Sequence, residues 1–431
     1  MDDGLRLRRP DRSQMSFGLL SPEDLVAEDH AVRVVWRVVQ SLDLSAFRAP
    51  LKARAGVAGR DATDPALLVA LWLWASVRGE WSARELARLC GVDVTYRWLC
   101  GGVTVNHRML GEFRTGHADA LDALFTRVLA ALAHKGLVSV ERVAQDGMKV
   151  RASAGAASFR REPTLLQRQA EAREHVAALR ALYEDAERSG GLGARRRAAM
   201  DRAARERVRR VDEAVELVRE LQSKQEASGA RMGEGKRRAK QKPVRASTTD
   251  PDATRMKMSD GGFRPAYNVQ LASDPVSRAV VGVSVSTSGN DYGLDGPMRR
   301  QVQQRTGGVV REHLVDGGYL KKESVEAAAR EGVALYVPPK PPKDPGKNGD
   351  EFTPRPGDSE AMKALRERMG SEAGKEVYKQ RASTSETVNA DLRCRRGLRE
   401  LTVRGAKKVT CVVLWSALAY NVMHFAKGLI G

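Results

Sequence analysis

Cysteine is scarce in this sequence of 431 residues, which contains only Cys90, Cys100, Cys394 and Cys411. No two of them form a CxxC pair. Small extracellular domains that depend on a disulfide framework are much richer in cysteine, so this class of protein is excluded. The composition instead fits a reducing cytoplasm.

Long apolar runs are also scarce. The N-terminal segment MDDGLRLRRPDRSQ lacks the apolar stretch of a secretory signal peptide. The longest apolar run, residues 409–426, barely reaches the length that spans a bilayer, and it contains the polar residues Thr410, Ser416, Asn421 and His424. We therefore expect a buried helix there, with a membrane span as the weaker alternative.

Positive charge is what the sequence has in excess, with 73 Lys and Arg against 54 Asp and Glu and a formal net charge of +19. Such an excess repels itself in a compact fold and favours a polyanionic partner, nucleic acid before an anionic membrane surface. The 42% of hydrophobic residues can bury a substantial core, and the length predicts two or three domains.

This charge is concentrated in residues 151–245, which hold 24 Lys and Arg against 14 Asp and Glu. A narrow apolar stripe at spacings of three and four predicts a long amphipathic helix through Val208, Val211, Val215, Val218 and Leu221. Residues 163–189 predict a companion helix. The pair indicates a basic helical hairpin, placed at 153–245, that ends in a run with three further candidate DNA-binding cations: Lys236, Arg237 and Arg238.

The region before the hairpin, residues 1–137, is helical in pattern. The stretch SARELARLCGVDVTYRWLCGG predicts two short helices joined by a turn at Gly91, and the second helix carries Arg97. This arrangement is typical of a helix-turn-helix DNA-binding unit, although ordinary helical hairpins have the same spacing.

Short alternating runs rich in valine predict β-strands on both sides of the insertion. The strands are placed at 140–150, 265–272, 279–286, 313–316 and 333–337, and helices at 296–304 and 322–332. Hairpin-forming strands followed by alternating strands and helices indicate an α/β fold with a mixed sheet. The sheet would be built from residues 138–152 and 246–431.

Two aspartates, Asp146 in AQDGMKV and Asp316 in HLVDGGYL, follow apolar strand residues and precede glycine. Each Asp-Gly pair by itself is typical of a simple turn. Carboxylates at strand ends, beside small residues that leave room for a ligand, are also what hard divalent cations require. The paired context favours the second interpretation.

Many motifs in this chain, in order, resemble the DDE-type bacterial insertion-sequence transposases, in the group often named after insertion sequence eleven-eighty-two. The similar stretches cover nearly the whole chain. They include SFGLLSPEDLVAEDHAV, NHRMLGEFRTGH, VAQDGMKVRASAG, STTDPDATRMK, SGNDYGLDGP, LVDGGYL and YKQRASTSETVNADLR, and GYNVQ is replaced here by AYNVQ.

The resemblance implies an RNase H-like catalytic core in which Asp146, Asp316 and Glu386 bind two divalent ions, Mg²⁺ or Mn²⁺, with no organic cofactor. It also implies DNA contacts from Tyr378, Arg381 and Arg393. The last position is lysine in most relatives, and arginine keeps the charge with a different geometry. Residues 375–408 hold 10 Lys and Arg against 4 Asp and Glu, so Glu386 would lie in a positive groove rather than on a merely solvated helix face.

Other motif residues leave alternatives open. Asn290 and Asp291 match a family motif but are also typical of a turn. Asp250 and Asp252 either cap the return from the insertion, which we favour, or touch DNA. Arg97 and Arg108 of the helical region are assigned to DNA binding.

The sequence therefore predicts a transposase that binds terminal inverted repeats of double-stranded DNA, cuts the ends and joins them to a target, as a homodimer in the synaptic complex. Two rival hypotheses are a metal-dependent nuclease that does not join ends and a DNA-binding protein that has lost the enzymatic activity.

Overall fold

A computed structural model describes residues 21–53, 61–189, 193–230, 243–342 and 350–430. Seven helices precede the first strand: α1 (Ala31–Ser41), α2 (Ser45–Arg48), α3 (Pro65–Val77), α4 (Ala83–Val92), α5 (Val94–Cys100), α6 (His107–Gly116) and α7 (Ala118–His134). Helix α3 is buried from Pro65 to Ser76 because it is apolar on all sides. It begins where the Asp64 carboxylate accepts a hydrogen bond from the Ala66 N–H.

The predicted turn at Gly91 is wrong, because α4 continues through this glycine to Val92. The two helices are separated at Asp93, whose side chain accepts hydrogen bonds from the N–H groups of Thr95 and Tyr96 and so starts α5. An N-capping aspartate, and not a glycine, sets the break between the two helices.

The eight strands are β1 (Arg142–Arg151), β2 (Phe159–Arg160), β3 (Ala246–Ser247), β4 (Thr254–Lys257), β5 (Phe263–Ser273), β6 (Val280–Ser286), β7 (Glu312–Leu314) and β8 (Ala334–Tyr336). Six of them form one sheet in the order β4-β5-β1-β7-β8, with β6 also paired to β5. Strand β1 is antiparallel to β5 and parallel to β7, and β7 is parallel to β8. The prediction of an α/β fold with a mixed sheet is confirmed.

A helical hairpin lies between β1 and β5, built from α8 (Glu162–Ser189) and α9 (Ala194–Ala230). Its own small apolar cluster contains Leu165, Ala214, Val215, Val218 and Ala246. The short pair of strands β2 and β3 closes its base. Lys236, Arg237 and Arg238 lie outside the described residues.

Among the described residues, the helices after β6 are α10 (Asp295–Thr306), α11 (Lys322–Arg330), α12 (Glu360–Gly370), α13 (Glu372–Ala390), α14 (Ala406–His424) and α15 (Ala426–Ile430). Helix α14 occupies the longest apolar run and packs against α3, α7 and β6. One core of buried side chains therefore joins the N-terminal helices to the sheet. Among the described residues, no helix is long and apolar enough to cross a membrane.

Candidate active site

The register between β1 and β7 places Asp146 and Asp316 side by side. Ala144 lies opposite Leu314 in this parallel pair, and each aspartate follows two residues further along its chain. Since side chains alternate along a strand, Asp146 and Asp316 lie on the same face of the sheet as Ala144 and Leu314. Asp316 lies just beyond β7, where its Oδ1 accepts a 2.8 Å hydrogen bond from the Gly318 N–H. The two predicted catalytic aspartates are thus brought together.

Helix α13 lies against these carboxylates and contributes Arg381. The Nη2 atom of Arg381 is 3.1 Å from Asp146 Oδ1 and 3.8 Å from Asp316 Oδ2, so one guanidinium serves both acids. On the same helix, Asn389 Nδ2 donates a 2.9 Å hydrogen bond to Asp146 Oδ2. Asn389 is not among the residues predicted from the sequence, although it lies three residues after Glu386 within a family motif.

Burial raises the pKa of the Asp146 carboxyl above its ordinary value, and the nearby carboxylates of Asp316 and Asp291 add to this effect. The guanidinium of Arg381 opposes it. A carboxyl group held among like charges favours any additional cation in its neighbourhood. The site therefore attracts positive charge.

The other predicted residues of this region lie on α13 or directly after it. The Tyr378 hydroxyl donates a 3.2 Å hydrogen bond to the carbonyl oxygen of Val315, next to Asp316. Arg393 lies in the π-turn Asp391–Arg395 and is partly exposed. Glu386 is exposed, because it lies five positions after Arg381 and therefore about 140° around the helix from it. The described residues contain no group of three or more His, Cys, Asp or Glu side chains arranged to hold a metal ion.

Asp291 is held within this site by side chains of two strands, which its turn-like motif does not predict. Its Oδ1 accepts 2.7 Å hydrogen bonds from Asn268 Nδ2 and Gln270 Nε2 of β5, and Lys149 Nζ lies 3.5 Å away. The SGNDYG motif was the available signal, but nothing in it revealed the two amides on β5.

Two glycines allow polar side chains to approach these acids closely. A β-carbon at Gly147 would lie 2.5 Å from Gln270 Nε2 and 2.6 Å from Asp291 Oδ1. A β-carbon at Gly318 would lie 2.9 Å from Asp316 Oδ1 and 3.5 Å from Asp291 Oδ2. A side chain at either position would clash with the polar groups packed around the acids, so the two Asp-Gly motifs form a close-fitting cradle and not only turns.

Asp250 and Asp252 hold the N-terminal end of α14. Asp250 Oδ1 accepts hydrogen bonds from the Gly405 N–H at 3.0 Å and the Tyr267 hydroxyl at 2.7 Å. Asp252 Oδ2 accepts a 2.7 Å hydrogen bond from the Ala406 N–H. These contacts support the capping interpretation, with α14 as the capped helix.

The two candidate DNA-binding arginines of the helical region are exposed. Arg97 lies on α5, and Arg108 lies on α6, where its Nε is 3.0 Å from Glu112 Oε1. Both lie far along the sequence from Asp146, and no described contact joins either to it.

Comparison with protein-family models gives two matches. Residues 342–426 match the transposase DDE domain, and this segment contains Tyr378, Arg381, Glu386 and Arg393. Residues 20–116 match a transposase domain of the DUF772 family, and this segment contains Arg97 and Arg108. Searches of curated proteins and of solved structures returned no match. Two segments of the chain are therefore similar to transposase domains, which is consistent with the DDE-type insertion-sequence transposases that its motifs resemble.

Proposed function

We propose that this protein binds the terminal inverted repeats of its own mobile element, cuts the DNA ends and joins them to target DNA. The observation that carries the proposal is the pair Asp146 and Asp316 on neighbouring parallel strands, with Arg381 contacting both carboxylates. Two acids from separate strands and a cation from a third element meet at one place, as phosphoryl transfer requires.

We assign the mixed sheet to an RNase H-like core, and the metal site to its edge at Asp146 and Asp316. Three observations support divalent cations there: the paired carboxylates, the cation that they already share, and the close approach of polar groups that Gly147 and Gly318 permit. Carboxylate oxygens are the ligands that Mg²⁺ and Mn²⁺ prefer. Glu386 is the proposed third acid, on the strength of its place in the motif and in the matched DDE domain.

Each side chain of the site has a distinct task in this proposal. When bound, two divalent ions activate the attacking oxygen and stabilise the leaving oxygen. Asn389 and Arg381 orient the carboxylate of Asp146 by hydrogen bonds to its two oxygens. The Tyr378 hydroxyl fixes the backbone before Asp316. If divalent ions held by Asp146 and Asp316 neutralised these acids, the Arg381 guanidinium would be free to contact a DNA phosphate.

End recognition is assigned to the N-terminal helices, with Arg97 and Arg108 among the contacts. Arg393, Lys236, Arg237 and Arg238 hold phosphates along the positively charged parts of the chain. Two copies of the protein pair two DNA ends in the synaptic complex, on DNA of the bacterial nucleoid.

Asp316→Ala tests this function. The variant should cut a duplex carrying the terminal repeat at least about 10³-fold more slowly, while its affinity for that duplex stays within about threefold, because Asp316 is assigned to chemistry and not to end recognition. Asp260→Ala, which changes an exposed aspartate paired with Arg264, is the matched control. Unchanged cleavage by Asp316→Ala would overturn the assignment of the active site.

Pre-cut ends supplied with target DNA separate the rival functions. Joined products support a transposase, whereas cleavage of intact ends without any joining indicates a nuclease. Specific binding of the ends without cleavage or joining indicates a DNA-binding protein that has lost the activity.

A further inference from the structure

A groove of about 790 Å³ lies apart from the acidic site, where α6, α9, the residues before β4 and the start of α14 meet. Six cationic side chains line it: Arg114, Arg209, Arg210, Arg404, Lys407 and Lys408. Neither the DDE residues nor the two candidate arginines of α5 and α6 lie in this groove. Its chemistry therefore calls for a separate explanation.

Arg114 is the buried cation of the groove, with only 8% of its surface exposed. It stacks on the ring of Trp72, and its Nη1 donates hydrogen bonds to the Trp81 carbonyl oxygen and the Thr402 hydroxyl. Its Nε has no hydrogen-bond partner, and it forms no ion pair with any carboxylate among the described residues. A buried charge without a counter-ion is unfavourable, so an anion in the groove would stabilise it.

Burial lowers the pKa of the Arg114 guanidinium to about 10, an effect that Glu80 offsets only in part. The cation is thus destabilised by the fold itself. This is the electrostatic pattern of a site that is completed by an external negative charge.

Lys407 and Lys408 lie in the first turn of α14, which contains no acidic residue. Lysines at this end of a helix are unfavourable because the N-terminal end carries the positive pole of the helix dipole. Both are exposed, and neither pairs with a described residue. The N–H groups at the start of α14 already donate hydrogen bonds to Asp250 and Asp252, so the lysines have no role in capping the helix.

The acids that line the groove are already engaged. Glu206 and Glu213 pair with Arg209 at 2.7 Å and 3.4 Å. Asp250 and Asp252 accept the N–H groups at the start of α14. The charge left for a ligand is therefore positive.

We propose that this groove binds the sugar-phosphate backbone of the DNA end, a proposal that rests on the proposed function. Ser153 lines the groove and lies seven residues after Asp146 along β1 and its continuation. At about 3.3 Å per residue, this is a span of at most about 23 Å. Since DNA rises about 3.4 Å per base pair, the bound phosphates lie within about seven nucleotides of the phosphate that is cut.

The test compares Lys407→Ala/Lys408→Ala with Arg311→Ala/Arg330→Ala, a control that removes two exposed cations near the starts of β7 and β8. Affinity for a duplex carrying the terminal repeat is measured across a salt titration. Each lost phosphate contact lowers the slope of log K against log salt by about 0.9, so the test variant should lose about 1.8. The control should keep the wild-type slope, and both should keep the wild-type preference for the repeat over unrelated DNA.

Uncharged methylphosphonate linkages give the second readout. Placed one at a time within about seven nucleotides of the cut, they should at some position weaken binding by the wild type and have little effect on the lysine variant. Thermal unfolding of that variant should occur at the wild-type temperature or slightly above it, since its two lysines are exposed, unpaired and unfavourable at the positive end of the helix dipole.

The outcomes separate the two proposals. If the wild type neither binds nor cuts element ends, the proposed function fails. If the wild type cuts them but the lysine variant keeps the full salt slope and the same methylphosphonate pattern, the groove proposal is wrong and the proposed function stands.

Discussion

The guanidinium of Arg381 lies 3.1 Å from the carboxylate of Asp146, although 235 residues separate the two in sequence. This contact joins the segment that matches the DDE domain to a strand outside that match. The segment that matches the transposase DDE domain therefore supplies the helix that covers the acidic edge, while residues before this segment supply both aspartates. Because Arg381 contacts both acids, its removal should change how they bind metal.

Arg381→Ala should tighten Mn²⁺ binding in the absence of DNA. The substitution removes the cation that competes with metal for Asp146 and Asp316, so we expect about a tenfold gain in affinity, equal to about 1.4 kcal/mol. Calorimetric titration with Mn²⁺ measures it. Lys379→Ala, which removes an exposed cation from the same helix, is the control and should leave the affinity unchanged. Equal or weaker binding by Arg381→Ala would show that the guanidinium does not occupy the metal's place.

Gly147→Ala should destabilise the fold by about 1–3 kcal/mol, because the added methyl group overlaps Gln270 and Asp291. Urea unfolding measures the change. Gly91→Ala is the matched control, since Gly91 lies within α4 with nothing within 4 Å of the added atom. Alanine in a helix interior is favoured over glycine by about 0.5–1 kcal/mol, so the control should be stabilised. Equal effects of the two substitutions would contradict this account of the cradle.

The sequence was sufficient to predict the secondary structure around the site. Alternation of apolar residues indicated β5 and β6, and spacings of three and four indicated the hairpin of α8 and α9. These periodic patterns are local, so they can be recognised without knowing the fold. The sequence predicts a turn at Gly91 because glycine is frequent in turns. The helices are separated at Asp93 instead, where the capping carboxylate accepts hydrogen bonds from backbone N–H groups.

Contacts that depend on tertiary packing could not be predicted. Asn389 reaches Asp146 only because α13 packs on β1, and Asp291 is held by amides on β5. The position of Asp316 beside Asp146 was expected from their motifs, but its basis is the strand register. No periodicity encodes which strand lies beside which, so the partners of a motif residue require the structure.

Arg299→Met should destabilise the protein by about 3–5 kcal/mol. The Arg299 side chain is fully buried and lies 2.7 Å from the Asp295 carboxylate, which is itself 2% exposed. Methionine fills similar volume but leaves the buried aspartate without its counter-ion. Arg300→Met removes an exposed neighbour that lies 3.5 Å from Glu331 and should cost less than about 1 kcal/mol. Urea unfolding of both variants decides the matter, and similar losses would mean that Asp295 does not depend on Arg299.

His313 should make the fold sensitive to mildly acidic pH. The ring is fully buried next to Arg299, with Nδ1 3.3 Å from Nη1, and burial together with that positive charge lowers the pKa of His313 to about 3. In the unfolded chain its pKa is near 6.5, so only the unfolded state gains a proton between pH 6.5 and 3. Stability is therefore fully present above pH 6.5 and is lost as the pH falls through this window, by about 1.4 kcal/mol per unit.

His313→Asn keeps an acceptor toward Arg299 and removes the titrating ring. Between pH 7.5 and 5.5, the free energy of unfolding of the wild type should fall by about 1.4 kcal/mol more than that of this variant, because the proton uptake of the unfolded state is lost with the ring. His175→Asn, at an exposed position of α8, should follow the wild type. Parallel pH profiles for wild type and His313→Asn would show that the buried imidazole accepts a proton in the folded state as readily as in the unfolded chain.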